Sequence, residues 1–211
     1  MKIYCIAFVL LSVTACAQPY TKANEKNRKV GGNCECCEAI NEQAPDFNLL
    51  HQTDTLPDFK EPGPKMLVYG TIYRKDGTTP AADVVLYIYH TDQTGLYTSA
   101  TDQTGCAKRH GKLRGWIKTN SKGEYRFYTL KPAAYPNAKI AAHIHPVIKE
   151  PGLSEYYIDE YLFDDDPFLT TAERNRAENR GGNGIIKLSK DASGLLLCKR
   201  DIVLGMNIPG Y

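Results

Sequence analysis

Tryptophan is nearly absent from this chain of 211 residues, which has one, Trp116, against 14 tyrosines. Long apolar runs are also missing after the first residues, so no later segment predicts a transmembrane helix, which needs about 20 consecutive apolar residues. Positive and negative charges nearly balance, with a formal net charge of +2. A nearly balanced charge gives no electrostatic support for a nucleic-acid partner, and we expect none.

The N-terminus has the pattern of an export signal. A lysine precedes an apolar run over residues 3–13, which is too short to span a bilayer. Val13-Thr14-Ala15-Cys16 resembles a bacterial lipobox, in which the cysteine is lipidated. The alternative is an ordinary signal peptide cleaved near Ala15 or Ala17. We predict a signal peptide over residues 1–15, lipidation at Cys16 and a lipid-anchored location in the bacterial cell envelope, with no other membrane contact.

Composition divides the rest of the chain into three parts. Residues 16–30 are polar and without periodicity, which is typical of a tether. Residues 31–65 contain a cysteine cluster and several prolines, which predict an irregular N-terminal arm packed on the domain. Residues 66–211 form the predicted domain.

Five cysteines remain beyond Cys5 and Cys16. Outside the cytoplasm some of them should be paired, and an odd number leaves one over. Cys34-Glu35-Cys36-Cys37 is compatible with a zinc or redox motif, but no second Cys/His pair follows at finger spacing. A local structural disulfide is therefore favoured, with its partners unassigned among these residues: Cys34, Cys36, Cys37, Cys106 and Cys198.

Short segments rich in β-branched and aromatic residues, separated by turn residues, dominate the predicted domain. Eight segments have this pattern: 66–74, 84–90, 113–119, 124–130, 142–149, 156–163, 184–188 and 195–204. Ser121-Lys122-Gly123 predicts a hairpin between two of them. The fold predicted is all-β, an antiparallel β-sandwich with an irregular N-terminal arm, with one short helix over residues 171–180.

One short sequence occurs twice. Thr91-Asp92-Gln93-Thr94-Gly95 recurs over residues 101–105, and because Asp and Gly form turns, we interpret both copies as loop corners rather than a calcium site. The loop between them carries Tyr97, and functional residues concentrate on loops.

His143-Ile144-His145 is the strongest chemical signal in the chain. Alternate residues of a strand point to the same face, so both imidazoles would lie side by side. With Tyr97 and Tyr135 they offer two phenolate oxygens and two nitrogens, a set that suits ferric iron, whereas zinc more usually takes cysteine or carboxylate. The other histidines have no such geometry and are interpreted as surface or hydrogen-bonding residues: His51, His90 and His110.

Several motifs in consistent order resemble the intradiol ring-cleavage dioxygenases. They are Gly95-Leu96-Tyr97, Leu113-Arg114-Gly115, the run Gly123 to Pro132, Tyr135-Pro136, Ala142-His143-Ile144-His145 and the stretch from Phe163 to Pro167. The resemblance extends over about residues 66–168, and a lipid-anchored branch of the family is the variant that the N-terminus suggests.

The resemblance implies a mononuclear non-haem Fe(III) centre with four protein ligands, Tyr97, Tyr135, His143 and His145, which are also its catalytic residues. The implied partners are a small aromatic diol and O₂. The implied reaction, part of aromatic compound catabolism, cleaves the ring between its two hydroxylated carbons and gives a cis,cis-muconate type diacid containing both oxygen atoms. The family includes homo-oligomers, but this sequence shows no interface pattern.

Two positions depart from the family pattern. The family has an arginine beside the substrate where this chain has Ile140, and a glutamine that corresponds here to Glu160. Lys139 would point to the opposite face of a strand, so Arg109 or Arg114 is the candidate replacement cation. Both departures predict a pocket less favourable to negative charge, and they leave the substrate and the turnover open.

Two alternatives compete with this interpretation. A non-catalytic β-sandwich binding module of the envelope would explain the strands but gives no role to His143 and His145 in register with two tyrosines. A cupin-type metal site would use Glu150, five residues after His145, but the second cupin motif is missing.

Overall fold

The computed structural model describes residues 27–211. The predicted signal peptide, Cys16 and the first part of the tether lie outside the described residues. Two sheets of six strands each confirm the all-β prediction. Among the residues from 27 onward, no helix has the length and apolar character needed to cross a bilayer.

The first sheet has the strand order β1-β5-β2-β11-β10, with β12 also paired to β2. Its strands are β1 (Thr53–Thr55), β2 (Lys65–Tyr73), β5 (Glu124–Leu130), β10 (Ser189–Lys190), β11 (Leu196–Lys199) and β12 (Ile202–Val203).

The second sheet has the order β4-β3-β6-β8-β9, with β7 also paired to β6. Its strands are β3 (Val85–His90), β4 (Arg114–Lys118), β6 (His143–Lys149), β7 (Tyr156–Tyr157), β8 (Tyr161–Phe163) and β9 (Ile185–Ile186). Two short α-helices, α1 (Gly105–His110) and α2 (Thr171–Arg176), and two 3₁₀ helices, Cys37–Ile40 and Pro57–Lys60, complete the described secondary structure.

Antiparallel pairing holds the longest strands together. β2 pairs with β5, and β3 pairs with both β4 and β6, in antiparallel registers. Parallel pairs join β1 to β5, β11 and β12 to β2, and β9 to β8. The sandwich is therefore antiparallel in its long central pairs and mixed elsewhere.

The predicted hairpin at residues 121–123 is wrong, because β4 and β5 lie in different sheets. The turn carries the chain from one sheet to the other, so that Ile117 and Phe127 both enter the core between the sheets. Gly123 has a φ of 69°, and a Cβ there would lie 2.4 Å from the Ile72 oxygen. This crossing therefore depends on glycine.

Other boundaries differ from the sequence prediction. The segment 156–163 is two strands, β7 and β8, and the segment 195–204 is β11 and β12. Helix α2 ends at Arg176, before the predicted end at residue 180. The second predicted loop corner has a turn at Thr101-Asp102, and helix α1 begins at its last residue, Gly105. The helix has six residues and is held by tertiary contacts, including a hydrogen bond from the Ala107 amide to Glu42.

Both faces of β3 are covered. Leu86 and Ile88 enter the core between the sheets, whereas Val85 and Tyr87 pack under the N-terminal arm, against residues that include Ile40. The arm thus forms a third layer over the outer face of the second sheet. The candidate metal ligands lie on this same outer face.

Two disulfides hold the arm in place. Cys34 pairs with Cys37, and Cys36 pairs with Cys106 of α1 across 70 positions. The prediction of a local disulfide is confirmed, and the unpaired cysteine is Cys198, which is fully buried. Burial raises the pKa of the Cys198 thiol to about 12, so it is a structural rather than a reactive group.

Candidate metal centre

The histidine pair is presented by β6, an inner strand of the second sheet. Ile144 and Ile148 point into the core, so the alternate residues His143 and His145 point to the outer face. His145 pairs in register with Tyr89 of β3, and His143 with Leu162 of β8. Strands on both sides fix the direction of the two imidazoles.

Tyr97 is held by a loop built around Asp92. The Asp92 carboxylate accepts hydrogen bonds from the backbone amides of Thr94 and Leu96 and from the Thr98 hydroxyl. Burial opposes ionisation of this carboxyl, but the bonds from Thr94 and Thr98 lower its pKa overall. The first predicted loop corner is therefore confirmed as a turn, and its role is to orient Tyr97.

A close backbone approach brings Tyr97 beside Tyr135. Gly95 has a φ of 77°, and a Cβ at this position would lie 2.2 Å from the Ala134 oxygen. Only glycine allows the loop before Tyr97 to touch the segment before Tyr135 at this distance. Tyr135 itself lies on the connection between β5 and β6.

Four side-chain atoms meet in a closed ring, which we call the four-donor cluster. The hydroxyl oxygens of Tyr97 and Tyr135 are 2.9 Å apart, and Tyr135 Oη is 3.2 Å from His143 Nε2. The two Nε2 atoms are 3.0 Å apart, and His145 Nε2 is 2.9 Å from Tyr97 Oη. The structure thus brings together all the residues that the sequence proposed as ligands: Tyr97, Tyr135, His143 and His145.

The second nitrogen of each imidazole sets its tautomer. His143 Nδ1 lies 2.7 Å from the Ala141 carbonyl oxygen, which only accepts, so Nδ1 carries the hydrogen. His145 Nδ1 lies 3.6 Å from a carboxylate oxygen of Glu160, which again favours a hydrogen on Nδ1. Both Nε2 atoms therefore direct lone pairs into the cluster.

The cluster has too few hydrogens to place a hydrogen bond at each of its four short contacts. Two phenols supply two hydrogens, which satisfy at most two of the contacts. The facing Nε2 lone pairs of His143 and His145 have no hydrogen between them in the neutral state. Such an arrangement is unfavourable without a positive charge at its centre.

A metal ion fits this donor set. Two ligand atoms, each about 2.0–2.1 Å from one metal, lie about 2.8–3.4 Å apart at bond angles between 90° and 110°, and all four observed separations fall in this range. Loss of both phenol hydrogens would give the cluster a charge of −2. Hard phenolate oxygen and imidazole nitrogen together suit Fe(III).

Glu160 has a neighbour that the sequence does not predict. Its carboxylate faces Nδ1 of His145 at 3.6 Å. Burial disfavours the charged form, but the adjacent His145 imidazole lowers the pKa of Glu160 to about 2. A carboxylate in this position orients the imidazole and increases its basicity, as in many histidine metal sites.

The surroundings disfavour charge on two members of the cluster, His143 and Tyr97, in the absence of a metal. Burial, and then the neighbouring His145, lower the pKa of His143 to about 4. Burial and the hydrogen bond with Tyr135 raise the pKa of Tyr97 above its usual value. A bound cation would reverse the second effect, because metals ionise the acids that coordinate them.

A cavity of about 270 Å³ opens beside the four-donor cluster. Tyr97, Tyr135 and His145 contribute to its lining, and the size suits a single aromatic ring. The other lining residues come from the arm, β3 and α1: Glu35, Cys36, Tyr89, Arg109 and His110.

Two of these lining residues, Tyr89 and His110, carry no sequence signal for a place in the site. Tyr89 carried no signal beyond strand alternation, and its place beside His145 follows from the β3–β6 register. His110 was interpreted as a surface or hydrogen-bonding residue; it is buried and hydrogen-bonded, but it also lines this cavity. His90 is buried and hydrogen-bonded, and His51 is exposed, as expected.

Of the two candidate replacement cations, Arg109 lines the cavity, where it forms an ion pair with Glu35 at 2.7 Å. Arg114 instead lies over the Trp116 ring and donates a hydrogen bond to the Glu42 carbonyl. Ile140, at the position of the family arginine, is 43% exposed.

Glu150 does not join the cluster. Its carboxylate accepts hydrogen bonds from the hydroxyls of Tyr156 and Tyr211, beyond the other end of β6. The cupin interpretation, which needs this carboxylate as a ligand, is therefore wrong.

Comparison with known families places this geometry in context. A family model described as "Dioxygenase" matches residues 40–180, well over half of the chain. The chain belongs to the intradiol ring-cleavage dioxygenase family. The matched residues include every member of the four-donor cluster.

Two curated relatives show the extent of the similarity. Catechol 1,2-dioxygenase 1 of Acinetobacter lwoffii is 39% identical over 86 residues, which cover 41% of this chain and 26% of the relative. The protocatechuate 3,4-dioxygenase beta chain of Burkholderia cepacia is 27% identical over 113 residues, covering 51% and 48%. The chain thus matches between a quarter and a half of the length of these intradiol enzymes.

Solved structures of the family share the fold. The dioxygenase domain of a dioxygenase–carbohydrate-binding fusion from Streptomyces sp. SirexAA-E aligns with a TM-score of 0.51 at 20% identity, covering 72% of this chain and 88% of that one. The 3-chlorocatechol 1,2-dioxygenase of Rhodococcus opacus aligns with a TM-score of 0.55 at 19% identity, covering 76% and 69%. At this identity the likeness establishes the intradiol sandwich.

Proposed function

We propose that this intradiol family member is an Fe(III)-dependent dioxygenase that cleaves a catechol-like ring between its two hydroxylated carbons. O₂ is the co-substrate, both of its atoms enter the product, and the product is a cis,cis-muconate type diacid. The observation that carries the proposal is the hydrogen deficit of the four-donor cluster, where facing Nε2 lone pairs 3.0 Å apart favour a cation between them. Tyr97, Tyr135, His143 and His145 are the proposed ligands.

Bound Fe(III) would supply the Lewis acidity that binds the diol and makes its ring reactive toward O₂. The protein contributes the orientation of the diol. Cys36 and Glu35 of the arm line one side of the cavity.

The two tyrosines differ in how firmly they are held. Tyr97 lies in a turn fixed by four hydrogen bonds to the Asp92 carboxylate, whereas Tyr135 lies on a connection without regular structure between β5 and β6. Tyr135 is therefore the proposed phenol that gives way to the diol and takes up one of its protons. This assignment agrees with the family pattern.

Arg109 is the proposed source of positive charge at the cavity. Its side chain is 62% exposed and that of Glu35 is 76% exposed, so their ion pair is worth little and is easily exchanged. A guanidinium beside the ring site would offset part of the charge that the carboxylate of Glu160 adds.

The decisive test measures iron and visible absorption on the same purified sample. We expect one equivalent of iron, a tyrosinate-to-Fe(III) charge-transfer band that shifts when catechol is added, and uptake of one O₂ per ring cleaved. A protein that stays colourless after reconstitution with ferric iron would favour the non-catalytic binding module instead. Colour without a catechol response would indicate an iron site that has lost turnover.

We also propose that the protein is anchored in the bacterial cell envelope through a lipid on Cys16. Two disulfides in the arm support an oxidising compartment. The test is fractionation of cells that express the full chain or its Cys16→Ser variant. The unaltered chain should sediment with membranes, and the variant should not; equal distribution would exclude the anchor.

A further inference from the structure

Tyr89 and His110 form a stacked pair next to the four-donor cluster. Their ring centroids are 3.5 Å apart and the rings are inclined by 5°. On its other side, Tyr89 stacks on His145 at 4.6 Å. The pair is therefore fixed in position relative to one of the proposed ligands, and both members line the cavity.

The hydrogen position on His110 follows from its neighbour Tyr87. Tyr87 is fully buried, and its hydroxyl lies 2.9 Å from His110 Nδ1. Arg114, which also interacts with this hydroxyl, has only donors to offer. A buried phenol needs an acceptor for its hydrogen, so the Tyr87 hydroxyl donates to Nδ1. His110 Nε2 then carries the hydrogen and is a donor.

Neither polar atom of the pair is used by the rest of the described chain. Tyr89 Oη and His110 Nε2 form no hydrogen bond with residues 27–211, although Tyr89 is half-buried and His110 is 4% exposed. Among the described residues, the side-chain polar atom that is both sealed from solvent and without a hydrogen-bond partner is Arg200 Nε. Tyr89 Oη and His110 Nε2 are not in this class, so they are not sealed from solvent. The two atoms of the pair must therefore keep contact with open space, and the space that both residues line is the cavity.

We propose that Tyr89 and His110 bind the ligand in the cavity through hydrogen bonds to its oxygen atoms. The inference rests on the proposed function, because the ligand is taken to be the aromatic diol. A molecule that fills the cavity contacts both residues and the four-donor cluster together. The acceptor is an oxygen of the ligand, either a ring hydroxyl or a carboxylate substituent on the ring.

A purely structural role for the pair makes a different prediction. If Tyr89 and His110 served only as a stack supporting His145, removing their polar atoms while keeping their rings would change nothing at the ligand. Tyr89→Phe removes one oxygen and keeps the ring. His110→Phe keeps an aromatic ring on Tyr89 and removes both nitrogens.

The experiment compares these variants with the full-length protein, each loaded with Fe(III). Dissociation constants for catechol and for 3,4-dihydroxybenzoate are measured from the change in the visible band. We expect each variant to weaken binding about 3- to 10-fold, the usual effect of one hydrogen bond, with iron content and band position unchanged. Tyr69→Phe, a half-buried tyrosine of the first sheet, is the matched control.

The two ligands distinguish the acceptors. Weaker binding of both ligands assigns the hydrogen bonds to the ring hydroxyls, and weaker binding of 3,4-dihydroxybenzoate alone assigns them to the carboxylate. Unchanged constants for both ligands in both variants would overturn the proposal. Loss of iron from Tyr89→Phe would also overturn it in favour of a supporting stack.

A readout without iron separates this inference from the proposed function. Saturation-transfer NMR on the metal-free full chain reports catechol binding directly, and O₂ uptake by the loaded chain reports the reaction. If catechol binding weakens in the variants but the unaltered protein takes up no O₂, the proposed dioxygenase function is refuted and ligand binding by Tyr89 and His110 is supported. If the unaltered protein takes up O₂ but both variants bind catechol as it does, ligand binding by Tyr89 and His110 is refuted and the dioxygenase function is supported.

Discussion

At the scale of single residues, the partner of each imidazole Nδ1 determines what its Nε2 does. The Ala141 carbonyl and the Glu160 carboxylate hold the hydrogens on the Nδ1 atoms of His143 and His145. Both Nε2 lone pairs are thereby committed to the cluster before any metal arrives. This preorganisation distinguishes the pair from histidines that merely lie side by side.

Replacing Glu160 with glutamine should weaken iron binding 10- to 100-fold, the usual effect of removing such a carboxylate. The amide keeps the size of the side chain but loses the charge that faces His145 Nδ1 at 3.6 Å. Competition with a chelator measures the affinity. Glu155→Gln, which removes a carboxylate paired with Lys149, is the control. Equal affinities in all three proteins would show that Glu160 does not act on His145.

The two tyrosines of the four-donor cluster should respond differently to loss of their hydroxyls. Tyr97→Phe removes an oxygen that contacts both Tyr135 and His145, so we expect at least about tenfold weaker iron binding with the fold intact. Tyr135→Phe should retain more iron but lose turnover, because Tyr135 is the proposed proton acceptor. Iron content, circular dichroism and O₂ uptake on the same samples test both. Full iron and full activity in Tyr97→Phe would refute the site.

The members of the four-donor cluster could be predicted from sequence, whereas the cavity lining could not. Strand alternation alone places His143 and His145 on one face, and family motifs supply Tyr97 and Tyr135. Tyr89 and His110 enter the site only through the register between β3 and β6 and through a six-residue helix with no local signal. Such long-range contacts leave no mark in a single sequence.

At the scale of elements, the arm and α1 act as one unit. The Cys36–Cys106 disulfide joins them, and the Arg109–Glu35 ion pair bridges the same contact. Together they form one wall of the cavity, although they are far apart in sequence: the arm precedes β1, and α1 follows Tyr97. The stability of this wall therefore depends on the oxidation state of the two cysteines.

Removing the two disulfides should have unequal effects on stability. Replacing Cys36 and Cys106 with serine releases a loop of 70 positions and should lower the free energy of unfolding by about 4 kcal/mol. Replacing Cys34 and Cys37, three positions apart, should cost about 2 kcal/mol. Urea denaturation measures both. Equal losses would show that loop length does not govern this arm.

The positions of the strands were easier to predict from sequence than their pairing within the sheets. The alternation of β-branched and aromatic residues located the long strands β2, β3, β5 and β6 from sequence. The turn at Ser121-Lys122-Gly123 has hairpin chemistry, yet β4 and β5 separate into two sheets because both bury side chains in the shared core. Local turn signals do not reveal which sheet receives the next strand.

At the scale of the whole molecule, the buried histidines remain uncharged near neutral pH. Burial is the largest cause in each case: it lowers the pKa of His143 to about 4 and that of His110 to about 3, and it also lowers the pKa of His90. Unfolding exposes these rings to water, where their pKa returns to about 6.5. The folded and unfolded states therefore bind different numbers of protons in mildly acidic solution.

The metal-free protein should lose stability as the pH falls from 7 to 5. In this window the unfolded state takes up protons that the folded state does not, so acid favours unfolding, by about 2 kcal/mol for each such histidine. Glu160, with its pKa near 2, contributes only at lower pH. Urea denaturation at pH 7, 6 and 5 measures the slope. The exposed His51→Gln variant should keep this slope and His110→Phe should reduce it; a stability that does not change with pH would contradict the assignment of neutral, buried imidazoles.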